Sequence, residues 1–194
     1  MLKPSVSLWS KELDLPGFSP MLEKLREYKP FNISSDVWPS NRWEFPWALA
    51  FLGDKPQHIL NVNGGYDPFS LLLKDLGHSV MVIREHGPSS NATNKLFAKK
   101  NIGLIEHDMC DCPFQDEEFD VVFCLSYLQY LDEDRARKMV EEMLRVIKPG
   151  KQCVITVCDT ENTKWLVPDF EPPDDVIMTY SGSPIAGVVF EKEE

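Results

Sequence analysis

From His58 onward, short apolar runs alternate with amphipathic ones. HILNVN (58–63), HSVMVIRE (78–85), GLIEHD (103–108), EFDVVFCLS (118–126) and KQCVITVCD (151–159) are short, apolar and rich in β-branched or aromatic residues, so each predicts a strand. Between them lie helix-like runs. PFSLLLKDLG places Phe69, Leu72, Leu73 and Leu76 at helical spacing and closes on Gly77. SSNATNKLFAKKN opens on serine and asparagine, as helices do. DEDRARKMVEEMLRVIKPG sets Ala136, Met139, Val140, Met143, Leu144 and Ile147 on one stripe. Asp132 can cap its start, and Pro149-Gly150 ends it.

Continuous apolar strands alternating with helices predict a parallel sheet covered on both faces. The end of the chain breaks that rhythm. DDVIMTYSGSPIAGVVFEKE holds two strand-like runs joined by Ser-Gly-Ser-Pro, which predicts a β-hairpin on the sheet edge. The acidic tail from Glu191 reads as a solvated end. The expected architecture is therefore α/β, with three layers and a mostly parallel seven-stranded sheet ending in a C-terminal hairpin.

Residues 1–56 form a separate lead-in or lid, and residues 57–194 the α/β domain. SPMLEKLREY predicts a short helix from Ser19 with Pro20 in its first turn, and SNRWEFPWALAFLG a second that ends at Gly53. Pro46 fits that second helix only within its first turn. Trp43, Trp47 and Phe51 are spaced to share one face, suited to covering the edge or mouth of the core.

Charge narrows the partners. The chain has 194 residues, 31 acidic against 20 basic, and a formal net charge of -11. Phosphate contacts need a basic face, so direct nucleic-acid binding is not expected. A small molecule or a basic protein partner fits better. No apolar run approaches the ~20 residues of a membrane span, and MLKPSVSLWSKELDLPG lacks the apolar core of a signal peptide. The five cysteines include Cys124, Cys153 and Cys158 in strand-like runs. An odd count without framework spacing suits a reducing, cytoplasmic setting. Cys110-Asp111-Cys112 lacks the second pair that a zinc site needs, so no metal is expected.

NVNGGYDPFS (61–70) lies between the first strand and the first helix of the alternating part. An α/β protein keeps its cofactor loop there. A dinucleotide site needs G-x-G-x-x-G and a helix start open to pyrophosphate. Asn63-Gly64-Gly65 does not supply it, and Asp67-Pro68 reads as a cap and first helical residue whose carboxylate would repel a pyrophosphate.

ILNVNGGYDPFSLLLKDLGHSVMVI, HDMCDCPFQDEEFDVVFCLSYLQYL and MLRVIKPGKQCVITV together resemble the class I methyltransferase fold, which binds S-adenosylmethionine. The likeness runs from about His58 to Val157 and is most specific in PF-x-D-x-x-FD-V-V and RV-I-KPG. A WE-x-P element, here Trp43 to Pro46, precedes the domain in related families. The resemblance implies a cofactor site at Asn61, Asn63, Gly64, Gly65, Asp67, Arg84, Glu85, Asp108 and Ser126. Within it, Asn61 stands at the position of an acid that ends the first strand. Asn63 and Asp67 stand at the outer glycine positions of the loop, with Gly65 between them. Arg84 stands at the acid that grips both ribose hydroxyls, with Glu85 next. Asp108 matches the residue that contacts the adenine amino group, and Gln129-Tyr130 replace a Glu-His pair.

These departures have a chemical cost. S-adenosylmethionine is a net cation, so carboxylates favour it. Asn61 accepts without charge, and Arg84 can only donate. Losing two charged hydrogen bonds at about 1.5–3 kcal/mol each weakens binding by a factor on the order of 100 to 10,000. Glu85 could replace the ribose acid, and Asp67 could either bond the cofactor's ammonium or serve only as a cap. Asn63 and Asp67 both tolerate left-handed backbone. Tyr127 and Tyr130 lie after the fourth strand, as a substrate border or as a packed aromatic lid. His58 and His78 fall at strand starts, away from the ligand edge, whereas His86 and His107 lie nearer to it.

No catalytic constellation stands out, and methyl transfer can run on proximity and orientation alone. Two functions remain open. One is an S-adenosylmethionine-dependent methyltransferase acting on a small molecule or a protein site. The other is a catalytically inactive relative serving as a binding or scaffold module, in a homodimer or beside an active partner.

Overall fold

The computed structural model describes residues 4–10, 41–64, 68–85, 91–178 and 182–193. The helix expected from Ser19, together with Gly65, Asp67 and His86, lies outside the described residues. The strands are β1 (Val6–Trp9), β2 (His58–Val62), β3 (Ser79–Arg84), β4 (Gly103–Glu106), β5 (Phe119–Leu125), β6 (Ile147–Cys158) and β7 (Ile185–Glu191). The helices are α1 (Asn41–Leu49), α2 (Phe69–Asp75), α3 (Asn91–Lys100) and α4 (Glu133–Val146), with a 3-10 turn at Leu128–Tyr130.

The strands form one seven-stranded sheet in the order β1-β7-β6-β5-β2-β3-β4. Pairings among β2 to β6 are parallel, and β7 runs antiparallel to both β6 and β1. The C-terminal hairpin closes on a single described bridge, Met178 with Pro184, before β7 joins β6. The outer place beside β7 goes to β1, where Val6 pairs with Val189 and Trp9 with Ala186. The lead-in thus contributes a strand to the sheet.

Period-two alternation along the strands builds a core on each face. Ile59, Val82, Val121, Phe123 and Val154 face Phe45 and Ala48 of α1, Phe69, Leu72 and Leu73 of α2, and Phe97 of α3. Leu60, Ile83, Val122, Cys124, Cys153 and Ile155 face the α4 stripe of Ala136, Met139, Val140 and Met143. All five cysteines are buried thiols, behaving as small apolar residues. Burial pushes the Cys112 thiol up to about 12.

The α1 helix is the part of the lead-in that bears on the site. Phe45 stacks on Phe69 at 4.9 Å, and Phe69 meets Phe123 edge-on at 5.2 Å. Trp43 stacks on Trp47 at 5.1 Å, and Trp47 meets Phe51 at 5.0 Å, so these rings do share a face. Trp47 lies against Gly187 of β7, where an added Cβ would come within 2.5 Å of the indole. Contrary to expectation, Pro46 sits in the second turn of α1. The aromatic burial on either side of it outweighs the one backbone bond that Pro46 cannot donate. In α2 the shift is smaller. Pro68 itself occupies the cap position, and its carbonyl accepts from Leu71 and Leu72. Asp132 caps α4 as expected, accepting from the Arg135 amide at 2.9 Å.

Candidate functional site

The strand order reverses between β2 and β5, and that reversal opens a crevice at the carboxyl ends of the strands. The loop after β2 forms its floor. Asn63 is left-handed at φ 58° and donates its amide to Ile83 O at 2.7 Å. Asn61 is 1% exposed, and its Nδ2 donates to Ser70 Oγ at 2.8 Å. The Ser70 hydroxyl donates in turn to Gly64 O at 3.3 Å. A Cβ on Gly64 would fall 2.0 Å from Asn61 Nδ2, so only glycine fits there. The Asn61 amide therefore braces the loop from inside.

Arg84 differs most from its expected role. Its side chain is fully buried at the end of β3, beside Glu106, its register partner on β4. Arg84 Nη2 donates to Glu106 Oε1 at 2.7 Å and to Asn94 Oδ1 of α3 at 3.2 Å. The guanidinium ties β3, β4 and α3 together and does not point to the crevice.

The next residue does reach it. Glu85 Oε1 accepts from Arg135 Nη2 at 2.5 Å. Burial, then the negative charge of Glu85, raises the Tyr127 pKa. Asp108 Oδ1 accepts from the Cys110 amide at 2.9 Å and from the same Arg135 Nη2 at 3.2 Å. The Cys110 amide, then Arg135, holds the Asp108 carboxyl below its ordinary range. Glu85 and Asp108, from neighbouring strand ends, thus converge on one cation.

On the far side of the switch, Ser126 is left-handed at φ 50°. Its amide donates to Thr156 O at 3.0 Å, and its hydroxyl donates to Glu44 of α1. Thr156 Oγ1 also donates to Glu44, whose side chain is buried. The WE-x-P glutamate therefore fastens the lead-in to the ends of β5 and β6. Tyr127 and Tyr130 rings lie 6.4 Å apart. Tyr127 is half-buried, whereas Tyr130 is 76% exposed and projects from the mouth.

Sequence reasoning placed Asn61, Asn63, Gly64, Glu85, Asp108 and Ser126 at this edge. It missed Glu44, Thr156 and Arg135. The WE-x-P motif marked the first of these, and no local signal marks the other two. His107 Nδ1 lies 3.2 Å from Asp108 O, and His58 packs on Phe119 at 4.6 Å. An open cavity of about 340 Å³, lined in part by Leu49, Leu52, Pro56 and His78, lies at the opposite, amino edge of the strands. Among the described residues, no group of three or more His, Cys, Asp or Glu could hold a metal ion, and no helix is long and apolar enough to cross a membrane.

Residues 60–155 match a family model described as a methyltransferase domain. The chain is 26% identical over 164 residues to tRNA (carboxymethyluridine(34)-5-O)-methyltransferase of Arabidopsis thaliana, covering 80% of this chain and 40% of that protein. It is 28% identical over 129 residues to demethylmenaquinone methyltransferase of Clavibacter sepedonicus, covering 66% of this chain and 52% of that one. Each alignment thus takes in about half or less of the relative's own length. A crystal structure of an S-adenosylmethionine-dependent methyltransferase from Methanosarcina mazei superposes with a TM-score of 0.58. It does so at 15% identity over 77% of this chain and 98% of that one, a likeness of fold.

Proposed function

We propose that the chain, whose residues 60–155 match a methyltransferase domain, is a class I S-adenosylmethionine-dependent methyltransferase that binds this cofactor through Glu85 and Asp108 and transfers a methyl group to a small molecule or a protein site. The observation that carries this reading is the convergence of the two carboxylates on one point at the ends of β3 and β4. A ribose diol and an adenine amino group both donate, and both need acceptors there. Glu85 takes over from the expected ribose acid, since Arg84 is engaged in the sheet.

The residues present fit the cofactor by this donor and acceptor match. Glu85 and Asp108 accept from the nucleoside, and Asn63 with Gly64 give the loop its close backbone approach. The bound cofactor supplies an activated methyl on a sulfonium. Ser126, Tyr127 and Tyr130 flank the crevice beyond the switch and orient the acceptor, while α1, held by Glu44, covers it. In-line displacement then needs alignment and exclusion of water more than a strong base. The net charge of -11 favours a neutral or basic acceptor over a bare polyanion.

Calorimetric titration with S-adenosylhomocysteine tests the cofactor site. Micromolar binding is expected, weakened about 10- to 100-fold by Glu85→Gln or Asp108→Ala, as each removes one charged hydrogen bond. No heat up to millimolar ligand from a folded sample would overturn the reading and leave a binding or scaffold role.

A further inference from the structure

Arg135 stands between the two carboxylates that the proposed nucleoside site would use. One nitrogen, Nη2, donates to Glu85 Oε1 at 2.5 Å and to Asp108 Oδ1 at 3.2 Å. The same Asp108 oxygen already takes the Cys110 amide at 2.9 Å. Both acids therefore meet donors of the chain itself. A neutral nucleoside brings donors of its own, and they compete for the same oxygens.

The bridge is built to open. The side chains of Arg135, Glu85 and Asp108 are 45%, 39% and 51% exposed. Exposed ion pairs contribute little to the fold and weaken in salt. The Arg135 backbone is fixed by the hydrogen bond that its amide donates to the Asp132 cap, whereas the guanidinium lies at the mouth. The other arginine of this turn, Arg137, pairs with Glu133 at 2.6 Å and packs 4.1 Å over the Trp165 ring, so it does not share the task. The remaining groups facing the bridge are Cys110, Tyr127 and Lys138. Arg84 is different in kind, buried and turned toward Glu106.

We propose that Arg135 is a built-in competitor for the nucleoside, a guanidinium latch that must leave Glu85 and Asp108 before ligand binds, and so sets the affinity of the site. This rests on the proposed cofactor reading. A latch that is closed most of the time lowers apparent affinity in proportion to the fraction open. It also reverses the usual effect of salt. S-adenosylhomocysteine is a zwitterion without net charge, so screening scarcely touches its own approach but loosens the latch.

The test is calorimetry with S-adenosylhomocysteine on the parent chain and on Arg135→Gln. It is run at about 20 mM and about 300 mM monovalent salt, either side of the range in which surface pairs are screened. The parent should bind about threefold or more tighter at high salt, and Arg135→Gln about tenfold tighter than the parent at low salt, with no further gain from salt. Binding seen only in Arg135→Gln would equally support the latch. Weaker or unchanged binding in the variant, with a parent indifferent to salt, would overturn the latch and leave the cofactor site standing. No binding by either protein, both folded, would overturn the cofactor reading and the latch with it.

Discussion

Arg84 invites a repair that the structure says will fail. Arg84→Asp restores the acid that the methyltransferase resemblance implies at this strand end, and sequence alone would favour it. Here the new carboxylate would replace a fully buried guanidinium and face Glu106, which is two-thirds covered. Breaking a buried ion pair by removing one partner costs about 3–5 kcal/mol. Two carboxylates about 5 Å apart add about 3 kcal/mol at an effective dielectric near 20, less whatever protonation of one acid relieves. The expected loss is about 4–6 kcal/mol, against a total stability of roughly 5–15 kcal/mol for a domain. At about 2–4 °C per kcal/mol for a chain of this size, the melting temperature should fall by about 8–24 °C. The apolar pair Arg84→Met with Glu106→Leu should stay within about 2 kcal/mol of the parent, since no charge is left uncompensated. Thermal melts and urea titrations on the parent and the two variants measure this. An Arg84→Asp chain that melts within about 3 °C of the parent and binds S-adenosylhomocysteine more tightly would refute the assignment of Arg84 to the sheet.

Gly64→Ala should weaken S-adenosylhomocysteine binding at least tenfold and cost about 1–3 kcal/mol, because its Cβ meets the Asn61 amide. Asn61→Ala added to it should recover part of that stability in a double-mutant melt, a coupling absent if the loop simply shifts. His78 accepts the Gln57 amide at Nδ1, which needs the neutral ring, and burial lowers its pKa from 6.5. The unfolded chain then takes the proton first, so stability falls as pH drops through about 6.5, above the carboxylate range. His78→Asn keeps the acceptor without titrating and should flatten melts measured between about pH 7 and about pH 5.

The legible part of this fold is the part written in local periodicity. The runs from His58 to Val157 became strands and helices at nearly the positions their apolar spacing predicts, and Asp132 caps α4 as its residue type suggests. β1 escaped notice because VSLW is four residues long and its partner lies some 180 positions away. Arg84 was misread and Arg135 passed over for a related reason. A strand-end arginine looks like a ligand position until its register neighbour, Glu106, is known. A charged residue in the first turn of an amphipathic helix looks like solvated surface until the strand ends it faces are known. Glu44 was visible as a motif, but its burial against Ser126 and Thr156 depends on how α1 lies over the sheet.

The pairing of β1 with β7 also orders the assembly of the molecule in time. Residues 6–9 are made some 180 positions ahead of residues 186–189, which complete their hydrogen bonds. At about 5–20 residues per second, the nascent strand waits on the order of ten seconds or more for a partner. Throughout that interval its backbone groups are unpaired, and β6, once made, also lacks the neighbour that will cover its outer side until β7 follows. A chain interrupted before Ile185 would therefore carry two open strand edges, at β1 and at β6, each a template for the other or for a second copy.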